Sequence, residues 1–564
     1  MKVVIVGGVA GGAGTAARLR RNDETAEIIM LERGSYISYA NCGLPYYIGG
    51  MITDKDALQL QTPERFHARF NVDVRVDSQV VSVDTEKKCV VVRHGEETYE
   101  ESYDKLVLSP GAGPVQPGIP GIGENHVFTL RNIPNTYAIY DFVKEHKPVS
   151  CAVIGAGFIG LEMAENLAEQ GIRVSVVEGA AHVMPPIDMD MAHAVHNYIR
   201  AQGIGLYLGH TCTAMDKDGI ILDNGVRVLA DMVIMSIGVR PDTGFLKDSA
   251  IELGARGEIL VNQYMETSAE DVYALGDAVS VKHVVSGQKV LIPLASPANK
   301  QGRIVGDNLC GRKTAYKGSQ GTSVMKFFDM TVAVTGEKEE SLITQGRPYR
   351  KVITTSASQA GYYPGGDMMT IKTIFDPVTA VILGAQIVGG KGVDKRIDDL
   401  ANAVRFKLSG YDLQEMELAY APPFSSAKDP VNMAGYVIGN VTEGLMKPFY
   451  LEDLDGIPED AVRLDVRTVE EYAGGTIPGF INIPLDSLRE RMDELDLTRD
   501  IYITCQIGLR GYLAQRILDQ AGARTWNLSG GVHPLPSSHR TGTRRLSSRS
   551  WHRPGQGFSG QDNP

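Results

Sequence analysis

Two of the six cysteines sit where a thiol can react. Cys42 lies in YANCGLPYY (39–47), a polar turn bounded by glycine and proline, with no second cysteine within six residues. A dithiol centre spaced CxxxxC would need its second sulfur at position 47, which is a tyrosine. A single redox thiol must instead cycle through a mixed disulfide or persulfide with a small thiol, or through a sulfenic acid. The short helix expected just after Cys42 would favour its thiolate. Cys505 opens the loop CQIGLR between the strand-like DIYIT and a helical run. Cys89, Cys151, Cys212 and Cys310 read as packed side chains. No CxxC pair suggests zinc or a disulfide framework, and no metal is expected.

Redox thiols need an electron source, and two nucleotide-binding patterns supply one. KVVIVGGVAGGAGTAARLRR (2–21) reads as strand, glycine turn and helix. Gly7, Gly8, Ala10, Gly11 and Gly12 let the backbone approach a pyrophosphate, and the helix N-terminus offers it free N–H groups. Val9 stands where the middle glycine of GxGxxG is usual. The next strand, AEIIMLE, ends at Glu32 beside Arg33, and an acid there accepts from a ribose hydroxyl. The pattern returns in full in CAVIGAGFIG, with Gly155, Gly157 and Gly160, and the strand after it, RVSVVE, ends at Glu178. A carboxylate there pairs with a free 2′-hydroxyl and repels a 2′-phosphate. The following GAAH brings no arginine, so NADH is favoured over NADPH. YDKLVLSPGAGP (103–114), with its turn at Gly111, and MSIGVRPDT (235–243) are the expected crossings between the two nucleotide domains.

The rest of the composition narrows the class. At 564 residues the chain needs several cores, and 43% apolar with 22% charged residues is ordinary for a globular protein. A net charge of −12 argues against nucleic acid as a partner. No apolar run is long enough to span a bilayer, and MKVVIVGG enters a strand without a signal-peptide pattern, so a cytoplasmic location is expected.

Several motifs carry family resemblances. EDVYALGDAVSV (270–281) resembles the second flavin fingerprint of the two-dinucleotide-binding-domain flavoproteins, which implies that Asp277, after Gly276, bonds the ribityl chain of FAD. SYANCGLPYYIGG, ESYDKLVLSPGA, AGYYPGG and AYAPPFSSAKDPVNMAGY together resemble the coenzyme A-disulfide reductases over roughly residues 1–440. The resemblance implies a homodimer with a shared active site, in which Cys42 forms a mixed disulfide with coenzyme A and is met by Tyr362 and Tyr420 of the partner subunit. It also implies coenzyme A contacts from Arg18, Arg21, Ser38, Asn41, Arg69 and Lys428. The basic ARLRR in an acidic chain suits the phosphates of such a ligand.

From AVRLDVRTVEEY to the loop Cys505–Arg510, with Cys505, Gly508 and Arg510 matching Cys-x-x-Gly-x-Arg, the chain is similar to a rhodanese domain. Successive loop N–H groups and a helix N-terminus would cradle an anion, lower the thiol pKa and hold a persulfide sulfur. Asp465 and Arg467 would brace the loop, and Thr476 stands where that family often has histidine. After WNLSGG (526–531) the match stops, and the Arg/Ser/Gly/Pro-rich remainder reads as a disordered tail or a shifted reading frame.

The expected fold class is α/β, with two Rossmann-like dinucleotide-binding domains, an α+β dimerisation domain and a C-terminal α/β rhodanese-like domain. The expected boundaries are 1–113 with 236–310 for FAD, 114–235 for NADH, 311–440 for dimerisation, 441–454 as linker, 455–535 for the rhodanese-like unit, and 536–564 as the tail. The expected function is NADH-linked reduction of coenzyme A persulfide or polysulfide and of coenzyme A disulfide, with Cys505 shuttling sulfane sulfur. Two alternatives stay open. Cys42 cycles through sulfenic acid in an NADH oxidase or peroxidase, or the rhodanese-like unit only docks or senses.

Overall fold

A computed structural model describes residues 1–532. The reading of 536–564 as tail or frame shift lies outside the described residues, as do 533–535. The chain divides into two compact units, Met1–Ala180 with Ile204–Gly321, and Ala181–Gly203 with the chain from Thr322 on.

The first unit holds two five-stranded parallel sheets built alike. In one, Lys2–Val6 lies between Glu27–Leu31 and Lys105–Leu108, with Asp73–Arg75 and Val272–Ala274 at the edges. In the other, Ser150–Ile154 lies between Arg173–Glu178 and Met232–Met235, with Gly205–Leu208 and Val127–Thr129 outside. The inner strands Lys2–Val6, Lys105–Leu108, Ser150–Ile154 and Met232–Met235 are covered on both faces, so beyond their first residues they are apolar runs rather than alternating ones. In each sheet the strand order reverses beside the strand that feeds the glycine turn, which opens a crevice at its carboxyl end. Ala112–Pro114 and Val239–Pro241 pair as a short antiparallel ribbon, formed by the two segments read as crossings.

The second unit holds an antiparallel sheet ordered Ser323–Phe327, Met330–Gly336, Ile382–Gly389, Met368–Phe375, Arg350–Ala357. The helix Val393–Phe406 realises the 3.6-residue apolar spacing of its sequence. The helix Met189–Ala201 belongs to this unit although the sequence around it reads as nucleotide domain. A buried ion cluster explains why. The Lys372 ammonium, fully buried, bonds Asp188 at 2.9 Å, Asp190 at 2.8 Å, and Glu339. The C-terminal sheet is parallel, in the order Pro448–Phe449, Arg524–Leu528, Asp500–Thr504, Val462–Asp465, Ile481–Asn482. It is tied to the antiparallel sheet of the same unit, where Ile353 N–H donates to Ser529 Oγ at 2.9 Å and the Tyr450 hydroxyl to Lys351 O at 2.7 Å. Among the described residues no helix is long and apolar enough to cross a membrane.

Candidate active site

Cys42 is the middle residue of a single 3-10 turn, Asn41–Gly43, that runs into the helix Leu44–Ile48. The turn closes through Gly43 N–H to Ala40 O at 2.9 Å, and Ala40 N–H to Leu58 O at 2.8 Å ties it to the segment beyond. Pro45 sits in the first helical turn, where its missing N–H costs nothing. Cys42 is solvent-exposed and bonded to no other cysteine.

Local desolvation, then the Glu162 and Asp277 carboxylates, push the Cys42 thiol up. This corrects the expectation that the turn itself favours thiolate. The helix that follows is only five residues long, and desolvation, joined by two acids brought from distant parts of the chain, outweighs it. Glu162 was not singled out in the sequence. It lies on Phe158–Glu169, the helix that opens at the second glycine motif, and accepts from the Tyr46 hydroxyl at 3.4 Å. Burial raises its carboxyl to about 7. The available signal was two acids three residues apart, Glu162 and Glu165, in the otherwise apolar first eight residues of the helix, FIGLEMAE.

The two glycine turns are built for a close-approaching anion. Gly7 has φ +97°, and a Cβ there would stand 2.1 Å from Ser109 O; one on Gly12 would stand 1.8 Å from Gly7 O. Gly155 and Gly160 repeat this, with a Cβ on Gly160 1.9 Å from Gly155 O, while Gly157 faces open space. Neither following helix has a side-chain cap at its N-terminus, so first-turn N–H groups stay available. Glu32 accepts from Gly8 N–H at 2.8 Å and Gly34 N–H at 2.9 Å. Glu178 accepts from Ala156 N–H at 2.8 Å and Ala180 N–H at 2.9 Å. Each carboxylate braces its own turn and keeps lone pairs for a ribose hydroxyl. Both cradles thus fit a dinucleotide.

Gly111, Gly276 and Asp277 come together around Arg131, another residue the sequence did not single out. Arg131 Nε donates to Ala112 O at 2.6 Å, and its guanidinium lies 3.6 Å from Asp277, whose carboxyl burial holds above the ordinary range. Ala10 and Gly11 open the first helix, and Arg33 is paired with Asp242.

The residues assigned to coenzyme A differ in their availability. Arg18 is held by Asp307, with Nε at 2.7 Å, whereas Arg21 is exposed. Ser38 adopts a left-handed φ of 42° and donates its N–H to Gly8 O. Asn41 Oδ1 is buried without a hydrogen-bond partner, as an acceptor awaiting a ligand N–H would be. Arg69 is exposed on Pro63–Phe70.

In the second unit, Tyr362 and Tyr420 are exposed and their hydroxyls lie 3.0 Å apart. That hydrogen bond is the largest cause raising the Tyr420 phenol. Buried Arg396 stitches their loops, donating to Ser358 O at 3.1 Å, Ser425 Oγ at 3.0 Å and Asp429 at 2.8 Å. Lys428 is exposed on the second of these loops.

Cys505 is buried at the carboxyl end of Asp500–Thr504. Gly508, with φ +95°, turns the loop into Leu509–Gln520, and its N–H donates to Cys505 Sγ at 3.1 Å. Burial nevertheless raises the thiol, against the lowering effect of the Gly511, Ile507 and Gly508 N–H groups and of Arg510. The cradle exists, but the expected net depression does not, because desolvation is the larger effect. The Arg510 guanidinium grips Glu471 in a fork of 2.7 and 2.8 Å. Arg467 and Asp465 form a buried pair at 2.7 Å, and Thr476 Oγ donates to the same carboxylate at 2.7 Å.

The pyridine nucleotide-disulphide oxidoreductase family model matches residues 1–302, more than half of the chain. The chain belongs to this family. The model of the family's dimerisation domain matches residues 322–430, and that of a rhodanese-like domain residues 451–534. As a member of the family the protein is an oxidoreductase that works with FAD and NADH, and the two cradles fit these cofactors. A coenzyme A disulfide reductase of Staphylococcus haemolyticus is 36% identical over 439 residues, 77% of this chain and 98% of its own. The reduced Bacillus anthracis CoADR-RHD has a TM-score of 0.92 at 48% identity, over 94% of this chain and 97% of its own. A NAD-dependent persulfide reductase from A. fulgidus has a TM-score of 0.90 at 35% identity, over 95% and 100%. The water-forming NADH oxidase of Lactobacillus brevis reaches 0.75 at 29%, over 79% and 99%.

Proposed function

We propose that the protein uses NADH to reduce sulfane sulfur carried by coenzyme A, as persulfide or polysulfide, and also coenzyme A disulfide. The observation that carries this reading is the pairing of an exposed Cys42, bonded to no other cysteine, with a second thiol in an N–H cradle in the same chain. A plain disulfide reductase has no use for the second; a sulfane-sulfur reductase does.

FAD, held by the Gly7–Gly12 turn with Glu32 and Asp277, would supply the electron pair drawn from NADH. The Cys42 thiolate attacks the inner sulfur of a coenzyme A persulfide, forming a Cys42–coenzyme A mixed disulfide and expelling HS⁻. Two electrons and one proton then cleave that disulfide to Cys42 thiolate and coenzyme A thiol. Tyr420, its phenol held protonated, supplies the proton across the dimer, with Tyr362 orienting it. Cys505 accepts sulfane sulfur from a donor persulfide, which leaves as its thiol, and passes it to coenzyme A. Gly508 N–H stabilises the terminal sulfur.

The test is anaerobic NADH oxidation with coenzyme A persulfide, polysulfide, coenzyme A disulfide and hydrogen peroxide. Cys42→Ser should abolish turnover of the three sulfur substrates, and Cys505→Ser should slow only the transfer from external sulfur donors. Peroxide as the best substrate, with Cys505→Ser silent, would refute the reading in favour of the oxidase or peroxidase.

A further inference from the structure

The loop after Cys505 ends on an arginine, yet the structure commits that guanidinium before any substrate arrives. Arg510 sits in the first turn of Leu509–Gln520, and Glu471 on Val469–Ala473. Arg510 Nη1 and Nη2 meet the two Glu471 oxygens at 2.8 and 2.7 Å. That is the edge by which a guanidinium grips an oxyanion, and a carboxylate already fills it. Glu471 is anchored in turn. Its Oε2 accepts from Thr468 N–H at 2.9 Å, and its own N–H donates to Thr468 Oγ1 at 3.3 Å. The Arg510 bonds hold its carboxyl below the ordinary range, so the pair stays ionised at neutral pH and its charges offset each other.

Arg467 is committed as well. It is buried, bonds Asp465 through Nε and Nη2, and donates to Gly475 O at 2.7 Å. Asp465 stands opposite Thr504 in the sheet, which sets this pair beside the Cys505 loop. The Cys505 sulfur therefore meets the neutral N–H groups of Gly511, Ile507 and Gly508, and Arg510 acts on it less than any of these. The residues that open the two helices, Leu509 and Val469, are exposed and apolar. Sulfur donors differ in the charge they bring to such a loop. In each case a bond forms between Cys505 Sγ and the donor's outer sulfur, and the donor's S–S bond breaks with its electron pair on the departing group. A thiol persulfide departs as its thiol, taking the proton that the Cys505 thiol loses, and no net charge moves. Thiosulfate enters with two negative charges and departs as sulfite with two, which a site without an uncommitted cation serves poorly.

We propose that Glu471, by holding Arg510, is a specificity-determining residue of the Cys505 loop, which loads from thiol persulfides and rejects thiosulfate. The inference deepens the reading of Cys505 as a carrier of sulfane sulfur and rests on it.

The experiment follows persulfide formation on the Cys505 peptide by mass spectrometry, in the full-length FAD-loaded enzyme, with glutathione persulfide or thiosulfate as donor. Wild type should load from glutathione persulfide at least about tenfold faster than from thiosulfate. Glu471→Gln frees the guanidinium and should raise loading from thiosulfate about tenfold, with loading from glutathione persulfide within about twofold of wild type. The gain should shrink with added salt and vanish in the double variant Glu471→Gln, Arg510→Gln. A damaged fold loses loading from both donors, so a gain on one cannot come from it. Thiosulfate loading wild type as fast as glutathione persulfide overturns the inference, whether or not the variants fold. So does a Glu471→Gln protein that loads from glutathione persulfide and gains nothing on thiosulfate. Selective loading in an enzyme whose NADH turnover never draws on that sulfur leaves the inference standing, while the reductase reading falls.

Discussion

Glu162→Gln should separate the ionisation of Cys42 from a second titration beside it. Burial lifts the Glu162 carboxyl from the ordinary 4.5 to about 7, helped by Glu165 and opposed by the Tyr46 hydrogen bond. That rise is worth about 3 kcal/mol in favour of the protonated form. At pH 6 about nine carboxyls in ten carry a proton, and at pH 8 about one in ten. Only the ionised form repels the Cys42 thiolate. Wild type should therefore match the Gln variant at pH 6 and fall behind it at pH 8. The assay is the rate of Cys42 alkylation by iodoacetamide against pH, with the enzyme in its free-thiol form. Wild type should show a flattening near pH 7 that the variant lacks, and the variant should react severalfold faster at pH 8. Stability gives a second readout with a fixed sign. Because the folded pKa is raised, the contribution of Glu162 is full below pH 4.5 and lost as pH climbs through 7, by up to about 3 kcal/mol. The variant lacks this loss, so its melting advantage should open between those values. Superimposed alkylation profiles from pH 6 to 9, or an offset as large at pH 6 as at pH 8, would refute the reasoning.

Gly160→Ala should raise the KM for NADH steeply while the flavin absorbance near 450 nm is retained, because the new Cβ would stand 1.9 Å from Gly155 O. Gly12→Ala should do the reverse and yield protein without flavin, its Cβ 1.8 Å from Gly7 O. Arg467→Ala leaves Asp465 buried without its cation and should cost about 3–5 kcal/mol of local stability. Persulfide transfer through Cys505 should be lost, with coenzyme A disulfide reduction by the same sample as the internal control. Lys372→Ala leaves Asp188 without its cation and Asp190 and Glu339 with Lys351 alone, and should cost a similar amount, read as a lower urea midpoint for the second unit.

The elements were legible where the signal is local. Gly7, Gly12, Gly155 and Gly160 announce their turns because a positive φ or a carbonyl within about 2 Å excludes a side chain whatever else the chain does. The helix Val393–Phe406 and the antiparallel pairs 323–336 and 368–389 follow from periodicity and turn residues alone. The lack of a second cysteine near Cys42 is likewise plain in the amino-acid order. Charge state and availability were not legible, because they depend on which side chains fold against each other. Arg18 reads as a free cation until Asp307 closes on it from 289 positions away. Cys42 and Cys505 read as activated thiols until burial, and for Cys42 two remote carboxylates, push them the other way. Desolvation and Coulomb interactions act through space within a few ångströms, and only the tertiary structure decides what lies within that range.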